Sequence, residues 1–235
     1  MDIKCLGSGS TGNCYLVNLG GNSNVILDAG LNTLEDITKH INLNDVDFAF
    51  ISHEHKDHSR LQEKLATRGV EIVEGKVIGD FVKNPLVSLK HPLKQVYCFP
   101  VKHGNEQKGY CPCAGCIILT ENECLLYITD FNLCEWDLSG FKFTHIMVEC
   151  NYIKQMILGL EDFVRTQENI YRHRELNATI SFLESLDLSK CKEIYLMHLS
   201  TGFSNSIVMG AKVYSKFRIP TAVCKQHGGF DWYGR

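Results

Sequence analysis

Four metal-donor side chains fall within six residues of this chain, at positions 53–58, in the order His-x-His-x-Asp-His. A hydrophobic run, Val46–Ile51, leads directly into them. Because side chains alternate along a strand, a strand ending there would direct the first two histidines to the same side. The chain can then turn and bring the aspartate and the last histidine back to the same point. Four donors from one loop are more than one ion usually takes from a single segment, so we predict a pair of metal ions. The donors are His53, His55, Asp57 and His58.

The alternative is a solvated loop in a histidine-rich chain. Ten histidines in 235 residues will cluster in twos or threes by chance, so a His-x-His pair alone is weak evidence. Four ligand-type residues in six positions, straight after an apolar strand, are much harder to explain in this way. We therefore favour a metal site.

The composition limits the class of protein. A hydrophobic fraction of 44% allows a sizeable core, and a net charge of −3 gives no overall basic field, so any nucleic-acid binding must use a local patch. The chain opens without a signal-like apolar stretch, and no apolar run approaches the ~20 residues that cross a bilayer. Eleven cysteines without an export signal are expected to be reduced thiols in a cytoplasmic protein.

Three of these cysteines, Cys111, Cys113 and Cys116, lie close together. They could hold a structural zinc or an iron–sulfur centre with a fourth partner such as Cys98 or Cys124. A zinc ribbon would need a second Cys-x-x-C pair, and none follows. The alternative is that they are buried or turn cysteines.

Short apolar segments separated by glycine turns predict strands, and longer amphipathic segments predict helices, mostly in the last third. The predicted strands are Ile3–Leu6, Cys14–Asn18, Val25–Asp28, Val46–Ile51, Leu86–Leu89, Val96–Pro100, Gly115–Leu119, Cys124–Thr129, Thr144–Val148, Glu193–Met197 and Thr221–Cys224. The predicted helices are Thr33–His40, Leu61–Arg68, Ile153–Leu160, Leu176–Ser185 and Ser206–Lys216. Two mixed sheets packed together with helices outside fit this order better than a doubly wound parallel sheet, and we expect one domain over residues 1–235.

Further donors lie at the ends of predicted strands elsewhere. His103 follows one apolar run, Asp130 ends another, and His198 ends a third. Each alone could be an ordinary polar residue where a strand meets solvent. Together they supply the donors that a second metal ion needs.

In the order of these motifs the chain resembles the metallo-β-lactamase superfamily, with Asp28, the His-x-His-x-Asp-His loop, His103, Asp130 and His198 in sequence. The segments Leu6–Asn13, Ile26–Gly30 and His198–Ser200 look most like the WalJ-type hydrolases, relatives of RNase Z. The resemblance implies an α/β (α+β) fold, the four-layer αββα sandwich of that superfamily, and a metal-dependent hydrolase.

The resemblance also implies roles for the donors. His53, His55 and His103 would hold one metal, and Asp57, His58 and His198 the other, with Asp130 bridging. Asp28 would hydrogen-bond the ligand loop. Zinc is the expected metal, with manganese as an alternative because of the carboxylates. A hydroxide bridging the two metals would be the nucleophile at phosphorus.

Phosphodiesterases similar to RNase Z have a Glu and a His where this chain has Glu149 and His173. By that resemblance His173 donates a proton to the leaving oxygen and Glu149 orients it, with Asp57 counted as the third catalytic residue. The alternative for His173 is an exposed histidine that precedes a helix. Candidate substrate contacts, each open to the alternative of a solvated surface residue, are Arg172, Arg174, Asn151 and Ser200, with Arg165, Lys56 and Arg60 as further cations.

The leading hypothesis is a two-metal phosphodiesterase, a nuclease or exonuclease acting on DNA or RNA. The alternative keeps the mechanism and takes a cyclic nucleotide or another small phosphodiester. A thioester or lactone hydrolase needs the metals but not the Glu/His pair, and a scaffold without activity is weaker because the ligand set is complete. We expect no membrane association and allow for a homodimer.

Overall fold

A computed structural model describes residues 1–74, 93–105, 109–157 and 172–235, and two β-sheets form the centre of the fold. The first sheet has five strands in chain order, of which the first three are antiparallel neighbours and the last three parallel. They are β1 (Asp2–Gly7), β2 (Cys14–Gly20), β3 (Ser23–Leu27), β4 (Val46–Ile51) and β5 (Ile72–Glu74).

The second sheet has seven strands. They are β6 (Leu93–Asn105), β7 (Gly109–Thr120), β8 (Cys124–Ile128), β9 (His145–Glu149), β10 (Glu193–Met197), β11 (Thr221–Cys224) and β12 (Phe230–Tyr233). Their spatial order is β12-β11-β10-β9-β8-β7-β6. The four central strands, β8 to β11, are parallel, and the remaining pairs are antiparallel.

The helices are short near the start of the chain and longer near its end. They are α1 (Glu35–Thr38), α2 (Lys56–Ser59), α3 (Gln62–Thr67), α4 (Lys154–Ile157), α5 (Leu176–Glu184) and α6 (Ser206–Phe217). Within the described ranges, no helix combines the length and the apolarity that crossing a bilayer requires.

The alternation of apolar side chains explains how the sheets pack. On β3, Val25 and Leu27 belong to a core cluster shared with the second sheet, whereas Ile26 belongs to a cluster on the other face. On β9, Met147 faces the shared cluster and Val148 faces away from it. Because neighbouring side chains of a strand project to opposite faces, each sheet buries apolar side chains on both of its faces.

Helices cover the two outer faces. Ile37 of α1 and Leu65 of α3 are fully buried against the first sheet. Leu183 of α5 and Val213 of α6 are fully buried against the second. The order of layers is helix, sheet, sheet, helix, which confirms the predicted αββα sandwich.

The predictions miss two strands and make one helix too long. β5 and β12 have no counterpart among the predicted strands, and Leu86–Leu89 lies outside the described residues. The helix predicted over Thr33–His40 is reduced to the single turn of α1. Of the helix predicted over Ile153–Leu160, the structure has α4, and positions 158–160 lie outside the described residues.

The clustered cysteines lie in β7, because β6 and β7 form a hairpin much longer than predicted. Cys113 packs in the outer cluster, whereas Cys116 packs in the cluster between the sheets, opposite Cys98 of β6. The two cysteines therefore project to opposite faces of one strand and cannot bind the same ion. The structure supports buried cysteines and not a metal site on this Cys-x-x-C pair.

Candidate metal centre

The candidate site lies where parallel strands end. Asp28 follows β3, Asp130 lies just beyond β8, and His198 follows β10. All three have left-handed backbones, with φ of 56°, 47° and 56° respectively. Non-glycine residues rarely adopt this conformation, and where they do it marks a local constraint often found at functional sites. Asp28, Asp130 and His198 therefore share an unusual backbone conformation at or near the end of a strand.

One group of donors comes from the loop after β4 and from β6. The Nε2 of His53 lies 2.8 Å from the Nδ1 of His55, and the Nε2 atoms of His53 and His103 lie 3.6 and 3.9 Å from Asp130 Oδ2. His103 lies within β6, not past its end as we predicted, because that strand continues to Asn105. One ligand atom from each of these four residues lies within 4.8 Å of all the others.

A second group lies against the first. The Nε2 atoms of His58 and His198 each lie 3.4 Å from Asp57 Oδ2. Asp130 faces this group too, with Oδ2 3.4 Å from His58 and Oδ1 3.4 Å from His198. The Asp130 carboxylate therefore lies between the two groups, where a bridging ligand would have to be.

Hydrogen bonds on the far side of the rings set the tautomers. His58 donates from Nδ1 to Asp28 Oδ2 at 2.6 Å, and His103 donates from Nδ1 to the Arg172 carbonyl at 3.1 Å. A metal-binding histidine characteristically donates its other ring nitrogen in this way. Both rings consequently present the lone pair of Nε2 to the centre.

The surrounding charges suit cations. Burial lowers the pKa of His53 and of His103, so both imidazoles stay neutral. Burial would raise the pKa of Asp130, but His198 and His58 lower it well below its usual range, so the carboxylate stays ionised. Burial would likewise lower the pKa of His58, but the neighbouring carboxylates of Asp28 and Asp130 raise it.

The donor set fits divalent transition metals. Imidazole nitrogens dominate it, and the carboxylates of Asp57 and Asp130 complete it, a combination that suits zinc and leaves manganese as an alternative. The two groups share Asp130, so the centre offers donors for two ions side by side.

Sequence reasoning missed residues that hold the donor loop. Asn13 donates from its backbone nitrogen to the Asp57 carbonyl at 2.7 Å, and its side chain donates to the same atom at 3.2 Å. Ser52 and Tyr127 both donate to Asp28. The neighbouring His53 could have pointed to Ser52, whereas Tyr127, which is 99 residues from Asp28, carries no local signal.

Glu149 and His173 meet beside the donors. His173 donates from Nδ1 to Glu149 Oε1 at 2.7 Å, and Oε2 of the same carboxylate accepts from the Phe131 nitrogen at 2.9 Å. The His173 ring centroid lies 5.0 Å from that of His198 and 5.7 Å from that of His103. The pair thus lies next to both groups of donors.

The predicted substrate contacts differ in their surroundings. Arg172 is exposed. The Arg174 guanidinium packs 4.2 Å from the centroid of the Phe131 ring and donates to the Asn132 and Ala178 carbonyls, which favours a structural role. Asn151 is buried and donates to the His198 carbonyl at 2.6 Å.

Two other predicted contacts also have internal partners. The Ser200 hydroxyl accepts from the Gly202 and Phe203 nitrogens in a turn. Arg60 donates to the Gly30 carbonyl and to Asn32. Lys56 is exposed, and Arg165 lies outside the described residues.

One family profile and several solved structures are similar to this chain. The profile of the Metallo-beta-lactamase superfamily matches residues 7–70, which include the His-x-His-x-Asp-His loop. No curated protein matches the sequence significantly.

Solved structures share the fold over most of the chain. The metallo-β-lactamase fold protein YhfI from Bacillus subtilis has a TM-score of 0.68 at 16% identity, covering 98% of each chain. Zinc-bound PqqB from Methylobacterium extorquens has a TM-score of 0.64 at 11% identity, covering 96% of this chain and 98% of its own. The short form of human tRNase Z has a TM-score of 0.55 at 12% identity, covering 86% of this chain and 93% of its own.

At these identities the structures establish a common fold and no more. The profile match covers the loop that supplies four of the candidate ligands. Residues 7–70 are therefore similar to the metallo-β-lactamase superfamily, and the rest of the chain shares the fold of the solved structures.

Proposed function

We propose that the protein is a dinuclear-metal-dependent phosphodiesterase, acting as a nuclease or exonuclease on DNA or RNA. The observation that carries the proposal is the hydrogen-bonded Glu149–His173 pair beside the two groups of donors. A hydrolase that used only its metals would not need a buried carboxylate to hold a histidine at this point.

The metals would be held by the seven candidate ligands, with Asp130 between the two groups. When bound, zinc ions at such a centre lower the pKa of water and neutralise charge on a phosphate. The candidate ligands are His53, His55, Asp57, His58, His103, Asp130 and His198, whereas Glu149 and His173, which also offer ligand atoms within 4.8 Å of Asp130 and His198, are assigned to proton transfer.

His173 would act on the leaving group. Its Nδ1 donates to Glu149, so its Nε2 is the atom that can give a proton to the leaving oxygen. Glu149 is fully buried and also fixed by the Phe131 nitrogen, so it keeps the imidazole in one orientation.

A second candidate substrate is a cyclic nucleotide or another small phosphodiester. A cavity of about 610 Å³ lies beside His53 and His55, within the size range of small-molecule sites. Its charged lining favours a small substrate over a polyanion, because carboxylates outnumber cations. The charged lining residues are Glu54, Glu63, Glu74, Lys56 and Arg60.

Other parts of the proposal concern the protein as a whole. The motifs of the first 30 residues favour the WalJ-type branch related to RNase Z, and we propose a single domain over residues 1–235. Eleven free thiols suit a cytoplasmic location. The sequence leaves a homodimer open, and sedimentation equilibrium would test it.

Changing His173 to Ala tests the role of the pair. We expect turnover of a phosphodiester with an alkyl leaving group to fall by about 100- to 10,000-fold, because a poor leaving group needs the proton. A p-nitrophenyl phosphodiester, whose leaving group needs little protonation, serves as the matched control and should be affected far less. Unchanged turnover of the alkyl ester would remove His173 from the mechanism.

Metal analysis and a substrate panel test the rest. We expect close to two zinc or manganese ions for each chain and loss of activity on chelation. Single- and double-stranded DNA, RNA and cyclic mononucleotides, assayed on one preparation, separate the polymer from the small substrate. A protein without stoichiometric metal would contradict the proposal.

A further inference from the structure

The carboxylate of Asp28 connects the two groups of candidate metal ligands, on the side of the histidine rings that faces away from the centre. Its carboxylate is fully buried and accepts hydrogen bonds from three different residues. His58 donates from Nδ1 to Oδ2 at 2.6 Å, and the Ser52 backbone nitrogen donates to Oδ1 at 2.7 Å. The third donor is the Tyr127 hydroxyl, which lies 2.6 Å from Oδ2.

Ser52 extends this network to the other group. Its hydroxyl lies 3.0 Å from Asp28 Oδ2 and 3.1 Å from His53 Nδ1. Because the hydroxyl has one proton and the carboxylate can only accept, that proton goes to Asp28. The serine oxygen then accepts from His53 Nδ1, which leaves the lone pair of His53 on Nε2, facing the centre. One carboxylate thus sets the tautomers of His53 and His58, one from each group.

Tyr127 holds that carboxylate in place. The residue lies on β8 and is fully buried between the sheets, where its ring packs 6.1 Å from the ring centroid of Phe50 and 5.9 Å from that of Tyr15. The rigid packing of the ring fixes the position of the hydroxyl.

We propose that Tyr127 is a positioning residue for both metals, acting through Asp28 on His58 and, by way of Ser52, on His53. The inference rests on the proposed function, because it needs a metal in each group. Loss of the Tyr127 hydroxyl leaves Asp28 Oδ2 with two of its three hydrogen bonds, so the carboxylate orients the two imidazoles less firmly. Both ions are then bound more weakly, by the 10- to 100-fold that is typical when a group behind a ligand is removed.

The test is a competition titration of metal-free protein with zinc against a chelator, which yields a dissociation constant for each ion. Tyr127→Phe keeps the ring and removes only the hydroxyl, so the packing between the sheets is retained. We expect both dissociation constants to rise by about 10- to 100-fold. The visible absorption of bound Co²⁺ is expected to change as well, because the ligand geometry changes.

Two further variants sharpen the test. Tyr195→Phe is the matched control, since Tyr195 is buried in the same cluster and its hydroxyl bonds to Glu193, away from the centre. It should bind both metals like the wild type. Ser52→Ala removes the hydroxyl that connects Asp28 with His53, and should weaken metal binding as Tyr127→Phe does.

Wild-type affinities in Tyr127→Phe would overturn the inference, as would weakening of only one ion or an equal loss in Tyr195→Phe. These results would leave the proposed function standing. A wild-type protein that binds no stoichiometric metal would instead overturn both.

Discussion

Gly30 shows how closely the backbone segments of the centre approach one another. A Cβ atom built at this position would lie 1.7 Å from the Asp57 carbonyl oxygen and 2.9 Å from the Asn13 nitrogen. Backbone hydrogen bonds hold the same contact, from the Gly30 nitrogen to the Asn13 carbonyl and from the Ala29 nitrogen to the His58 carbonyl. Only glycine fits there, because the neighbouring atoms are backbone and cannot turn away.

We therefore expect Gly30→Ala to displace the loop that carries Asp57 and His58. The free energy of unfolding should fall by roughly 1–3 kcal/mol or more, as for other overpacked positions. Gly140→Ala is the control, since a Cβ there meets nothing within 4 Å, and its effect should stay within about 0.5 kcal/mol. Urea denaturation of both variants measures the difference, and equal stability would show that the loop can move aside.

At the scale of elements, helix α5 fixes the segment that bears His173. Glu175 precedes the helix, and its carboxylate accepts from the Asn177 nitrogen at 2.7 Å and from the Ala178 nitrogen at 3.3 Å. Arg174 stacks on Phe131 and Phe182, of which the second lies on the helix. Arg174 and Glu175, the two residues directly after His173, are therefore both held in place by contacts with the helix.

Removing this cap should loosen the start of α5. We expect Glu175→Ala to lower the free energy of unfolding by about 0.5–2 kcal/mol, the usual effect of losing an N-terminal cap. Glu184→Ala, at the other end of the same helix, removes only an exposed ion pair with Lys216 and should change stability by at most ~1 kcal/mol. Thermal unfolding of the two variants provides the comparison, and a smaller loss in Glu175→Ala would contradict the capping role.

At the scale of the whole molecule, the two edges of the second sheet differ in chemistry. The carboxyl ends of β8 to β10 carry the candidate centre. At the opposite edge, His145 begins β9 and lies 4.0 Å from Glu123 and from Glu193, with Lys192 paired to Glu123 at 3.0 Å. Burial lowers the pKa of His145 despite these carboxylates, so the folded protein holds it neutral near pH 7.

This predicts a loss of stability in mild acid. Below the pKa of an unfolded histidine, about 6.5, the unfolded chain binds a proton that the folded protein does not bind at His145. The free energy of unfolding therefore falls as the pH is lowered from 7 towards the reduced pKa of the folded state. His145→Asn should show a smaller fall between pH 7 and 5.5 than the wild type.

Urea denaturation of metal-free protein at the two pH values measures the change in the free energy of unfolding. The candidate ligands titrate in every variant, so their contribution cancels when the variants are compared. His227→Asn is the control, because His227 is exposed. It should keep the pH dependence of the wild type. An undiminished fall in His145→Asn would show that other groups cause it.

The sequence alone determined the donor types, their order and most of the strands. The loop at positions 53–58 is local, and strands show in the alternation of apolar residues, so both can be predicted from neighbours in the chain. The four-layer fold followed from the order of the elements and from the resemblance carried by the motifs.

Which of these residues meet depends on the tertiary structure. The 13-residue length of β6 places His103 inside a strand, and the alternating faces of β7 separate Cys113 from Cys116. Asp130 lies between two groups of donors, and Tyr127 reaches Asp28, because the sheets pack face to face. Such contacts depend on register and on packing between distant segments, and local sequence patterns carry no information about either.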